Sequence, residues 1–71
     1  MLVYRPKQFE DRLRSYARYI RLDEKNAVQT YNHLAYGLLM SIDWSYDETR
    51  YHEALEVISK VRQERFEEES L

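Results

Sequence analysis

From Asn26 to Ile42 the chain carries no Asp, Glu, Lys or Arg, although charged residues make up 34% of the whole sequence. The two flanks differ in sign. Residues 1–25 hold seven basic and four acidic side chains, whereas residues 43–71 hold four basic and nine acidic ones. A segment that avoids charge on every side is expected to be covered on every side. In a chain of 71 residues the flanks can cover only part of it, which points to a partner, most simply a second copy. Small chains bury only about 60% of their unfolded surface and need reinforcement by disulfides, a metal or association. With no cysteine and only His33 and His52 as imidazoles, disulfides and the common zinc sites are excluded. Association remains.

Gly37 is the single glycine and Pro6 the single proline, so hairpin turn chemistry is scarce and helix-favouring residues dominate. The expected fold is all-α, one compact domain of three helices over residues 1–71. Pro6 suits a first helical turn, and Phe9, Leu13, Tyr16 and Ile20 recur on one face, which predicts a helix over about 6–21. Asp23 reads as the N-cap of a second helix over about 24–43. Its core stripe is Val28, Tyr31, Ala35, Leu38 and Ile42, widened by Ala27, Leu34 and Leu39. Ser45 and Glu48 have the spacing of a capping box, which predicts a third helix over about 46–66 with Tyr51, Ala54 or Leu55, Ile58 and Val61 inward. Residues 1–5 and 67–71 are expected to fray.

Catalytic apparatus is not apparent. The chain lacks a Cys nucleophile, a Gly-rich phosphate loop and paired metal-ligand motifs. Glu48, His52 and Glu56 share helical spacing and could ligate a metal or share a proton, but a solvated polar edge accounts for them better. The expectation is a protein that is not an enzyme and has no cofactor and no metal.

Surfaces for partners are more legible. Gln29, His33, Tyr36, Gly37 and Met40 form a second stripe on the second helix, opposite the core stripe. Glycine in a helix interior costs about 1 kcal/mol relative to Ala, and close approach of another backbone would justify it. Tyrosine, tryptophan and methionine are common at interfaces. Tyr19, Tyr36 and Tyr46 lie off the core stripes, while Trp44 reads as a plug at one end of the core. Arg14, Arg18 and Arg21 form a basic stripe on the first helix, with Arg5, Arg12 and Tyr19 along a second edge. Such a stripe could grip phosphates, but the acidic third helix, of the same or a second copy, offers Glu53, Glu56, Glu64 and the run over 67–69 to neutralise it, and a net charge of −2 argues against nonspecific nucleic-acid binding.

Met1–Arg5 has no apolar stretch of the ~7–15 residues a secretory signal needs. The uncharged segment carries Asn26, Gln29, Thr30, Asn32 and His33, which does not suit a membrane span. The expectation is therefore a cytoplasmic interaction module, a regulator, adaptor or inhibitor. It would form a homodimer through the second helix and engage an unidentified protein partner. The alternatives are a nucleic-acid-binding regulator using the arginine stripe and a structural assembly subunit.

Overall fold

The computed structural model describes residues 2–67, and among them every regular element is helical. Helix α1 spans Pro6–Tyr19, α2 spans Ala27–Met40 and α3 spans Tyr51–Arg62. Two single turns of 3-10 helix, Trp44–Tyr46 and Glu48–Arg50, join α2 to α3, and a π turn over Gln63–Glu67 continues α3. The three-helix expectation is met. Apart from the start of α1, the boundaries differ from the sequence reading.

α1 starts at Pro6 as expected, with the Phe9 N–H donating to the Arg5 carbonyl at 2.8 Å. It stops at Tyr19 rather than Arg21. Ile20 adopts an extended conformation, and its side chain turns into the core. The carbonyls freed at this end are taken up from α3's continuation. The Arg65 guanidinium donates to the Ala17 carbonyl at 2.9 Å and to the Ile20 carbonyl at 3.0 Å.

α2 starts at Ala27 rather than at 24. Asn26 sits in the left-handed region at φ 66°, which a helix cannot include and which Asn tolerates better than most residues. Asp23, expected to cap this helix, instead pairs with Arg21 at 3.2 Å. The other end is Met40, not Asp43. The Ser41 hydroxyl bonds back to the Leu38 carbonyl at 2.7 Å, and the chain then leaves the helix axis to pair Ile42 with Leu2.

That pairing is a single parallel bridge. The Leu2 N–H donates to the Ser41 carbonyl at 3.2 Å, and the Asp43 N–H donates to the Leu2 carbonyl at 2.7 Å. Residues 2–5, expected to fray, are pinned by it, and Tyr4 is buried against Phe9 and Trp44. Residues 68–71 of the expected frayed tail lie outside those described.

The expected capping box at Ser45 does not form. Asp43 is the capping residue, accepting from the Ser45 N–H at 3.0 Å and from its hydroxyl at 2.6 Å. Those two bonds favour the ionised carboxyl and hold it below the usual aspartate range. α3 begins only at Tyr51, after the two 3-10 turns.

The core lies between the three helices. α1 contributes Phe9, Leu13 and Ala17, and α3 contributes Ala54, Ile58 and Val61. α2 contributes Ala27, Tyr31, Ala35 and Leu39, spaced by four throughout. Leu38, Leu55, Tyr16 and Tyr51, placed on core stripes by the sequence, are half-buried at its margin. Among the residues expected inward on α2, Val28 is likewise only half-buried, and Leu39 takes the inner position assigned to Leu38.

Tyr31 ties α2 to α3. Its side chain is fully buried, and its hydroxyl donates to the Ile58 carbonyl at 2.8 Å. Burial pushes the phenol from 10.0 up to about 12. A folded-state pKa above the unfolded value leaves stability intact below pH 10. It removes stability as pH rises from 10 to about 12, because only the unfolded chain loses the proton there. Tyr31→Phe should cost about 1 kcal/mol at neutral pH, the usual worth of one hydrogen bond. Its melting temperature should then approach that of wild type across this alkaline window. Parallel curves for the two proteins would show that Tyr31 does not carry the alkaline loss.

Candidate functional site

The outer face of α2 holds Gln29, His33, Tyr36, Gly37 and Met40, all five exposed. α1 and α3 cover only the opposite face, so among the described residues this one is left open. Met40 is 73% exposed and Tyr36 is 40% exposed, large values for apolar side chains in a helix that carries no charge. The five residues, with Asn32, border one shallow depression along the helix. Its N-terminal half is polar, through Gln29 and His33, and its C-terminal half is apolar, through Tyr36 and Met40.

Gly37 sits in the middle of this face with a right-handed helical backbone, so no positive φ requires glycine there. A Cβ placed on it would meet nothing within 4 Å. The glycine therefore leaves a flat spot on the outer surface and accommodates no neighbour among the described residues.

The arginine stripe of α1 is divided by the fold. Arg14 is held between Glu10 at 2.9 Å and Glu64 at 2.7 Å, and both bonds favour its charged form. Glu64 is correspondingly held below the usual glutamate range. Arg21 turns to Asp23, and Arg18 is exposed. Of the acidic side chains expected to neutralise the stripe, Glu64 does so, Glu56 forms no ion pair among the described residues, and the side chains of the 67–69 run lie outside those described. Glu53 instead bonds Arg50 at 2.7 Å.

The Glu48, His52 and Glu56 trio does not form one helical row, because Glu48 belongs to the 3-10 turn before α3. Among the described residues no group of three His, Cys, Asp or Glu side chains is placed to hold a metal ion.

Trp44 packs at one end of the core. Its ring lies 4.9 Å from Tyr4 and 5.3 Å from Tyr51, and its Nε1–H donates to the Leu39 carbonyl at 3.0 Å. Arg50 stands 5.2 Å from the Tyr4 ring centre. The Tyr4 hydroxyl is buried without a hydrogen-bond partner among the described residues, and burial, then the Glu53 carboxylate, raises its pKa. Sequence reasoning left Tyr4 unassigned. Residues 2–5 carry no alternation that would have marked Tyr4 as buried, since Leu2 and Val3 are both apolar and both exposed.

Comparison of the chain with protein-family models, curated proteins and solved structures found no match. Among the described residues no helix is long and apolar enough to cross a membrane.

Proposed function

We propose that this chain is a small non-catalytic protein–protein interaction module, a regulator, adaptor or inhibitor. In this reading it self-associates as a homodimer through the outer face of α2. One observation carries the proposal: an uncharged helix exposes Tyr36 and Met40 around a glycine that no contact among the described residues requires. A mid-helix glycine forgoes about 1 kcal/mol relative to Ala. Close approach of a second helix recovers that loss through packing, because backbones can draw together where no Cβ intervenes.

A twofold arrangement is the simplest form, since one self-complementary patch then serves both copies. Two α2 helices crossing at Gly37 would bring the Met40 of each copy beside the polar half of the other face. Methionine adapts readily to such mixed surroundings. Nucleic-acid binding is not proposed, because Arg14 and Arg21 are already engaged by carboxylates.

Gly37→Leu tests the reading. Nothing within the chain obstructs the new side chain, and leucine is the better helix former. Light scattering at about 50 µM should give twice the chain mass for wild type and the chain mass for Gly37→Leu, with helical circular dichroism retained. A wild-type monomer, or a variant that associates as wild type does, would refute the homodimer.

A further inference from the structure

A second surface, separate from the outer face of α2, lies where the extended N-terminal segment meets α1 and the end of α2. Phe9, Leu38 and Ile42 form its floor, and Leu2 and Val3 form a wall. The cleft has a volume of about 150 Å³. Apolar cavities of about that size accept a benzene-sized group, so there is room for one bulky side chain. Leu2 and Val3 are about half exposed, at 51% and 55%, so the cleft is open, with an apolar floor and a lining that is polar as well as apolar.

Its rim is cationic. Arg5 and Arg12 border the cleft together with Gln8, and both arginines are exposed. Among the described residues neither forms an ion pair, whereas Arg14, Arg21 and Arg50 each have a carboxylate. The positive end of α1 adds to this field. Its first turn carries no acidic side chain, and the Lys7 and Gln8 N–H groups donate to no backbone carbonyl among the described residues. In a protein of net charge −2 this end of the molecule is locally positive.

The backbone supplies a third recognition element. Leu2 uses its N–H and its carbonyl to pair with Ser41 and Asp43. The next residue, Val3, bonds to nothing among the described residues through either backbone group. An extended segment paired along one edge and open along the other accepts an added strand.

We propose that this cleft binds an acidic peptide segment in extended form. An aliphatic side chain of the peptide would fill the space over Phe9, Leu38 and Ile42. Carboxylates on either side of that residue would pair with Arg5 and Arg12, and the peptide backbone would bond to Val3. The volume holds one side chain and not an acyl chain, and the open backbone groups favour a peptide over a small carboxylate.

The probe is the peptide acetyl-Glu-Glu-Leu-Glu-Glu-amide, titrated into the full chain while backbone amide shifts are followed. Shifts should concentrate at Val3, Gln8, Phe9, Leu38 and Ile42, with a Kd of roughly 0.1–1 mM. The double variant Arg5→Glu/Arg12→Glu should bind at least about tenfold more weakly, a change of 1.4 kcal/mol, and keep its fold because both side chains are exposed and neither forms an ion pair among the described residues. A peptide with lysine in place of each glutamate should not bind. Serine in place of the leucine should weaken binding.

Gly37→Leu should bind the probe as wild type does, which separates this cleft from the α2 face. Four results would overturn the proposal. They are no shifts up to about 5 mM, undiminished binding by the double variant, shifts confined to the outer face of α2, and hexanoate binding as tightly as the peptide.

Discussion

Leu39→Ala should destabilise the chain by about 2–5 kcal/mol, and Leu38→Ala by about half as much or less. The two residues are neighbours on one helix and chemically identical. Leu39 is fully enclosed between the helices, so truncation leaves a cavity that the core cannot fill. Leu38 is half-buried at the edge of the N-terminal cleft, where water replaces the lost atoms. Urea denaturation of both variants at one fixed protein concentration measures the contrast, the concentration being held because association would shift it. A chain this short has roughly 4–10 kcal/mol of stability in all, so Leu39→Ala could unfold it outright. Leu39→Val then gives the graded value. A larger loss at Leu38 than at Leu39 would show that α2 is rotated from the orientation described.

Arg65→Met should cost about 2 kcal/mol. The guanidinium bonds two carbonyls at the end of α1, Ala17 and Ile20, and hydrogen bonds from a charged donor contribute about 1.5–3 kcal/mol. Its charge also lies at the negative end of the α1 dipole. Methionine keeps most of the apolar stem, so the loss isolates the two bonds from packing. Arg65→Lys should recover only part of it, because an ammonium is a point charge and cannot reproduce the planar fork. Thermal melts of the three proteins measure the ranking. An Arg65→Met variant within about 0.5 kcal/mol of wild type would mean that water satisfies those carbonyls equally well.

Helix class was legible because the physical signal is redundant. Phe9 and Leu13 on α1, and Ile58 and Val61 on α3, sit among polar residues, so their spacing marks one inward face unambiguously. α2 lacks that contrast. With no charge between Asn26 and Ile42, Leu38 and Leu39 satisfy the pattern about equally, and periodicity cannot choose between them. Boundaries were the least legible feature. Asp23 and Ser45 have good capping chemistry, yet α2 starts after Asn26 in the left-handed region with no side-chain cap, and Asp43 caps the 3-10 turn that precedes α3. Several residues near each end could cap, and the path of the chain between helices leaves α1, α2 and α3 without a side-chain cap at the N-terminus.

For the candidate site, the grouping of Gln29, His33, Tyr36, Gly37 and Met40 followed from helical spacing. Whether α1 and α3 would cover that face could not be read from spacing. The cleft bounded by Arg5, Arg12, Val3 and Leu38 had no sequence signature as a unit, because its residues come from three elements that only the tertiary fold brings together, through the Leu2 and Ile42 pairing and the shared core. By itself the sequence determined that the chain is helical, that its core draws on Leu13, Ile58 and Val61, and that one segment avoids charge, since composition and local periodicity act over a few residues. Tertiary structure decided which side of α2 faces inward, where each helix stops and that Tyr4 is buried. Those outcomes depend on contacts between residues far apart in the chain, and no local pattern encodes them.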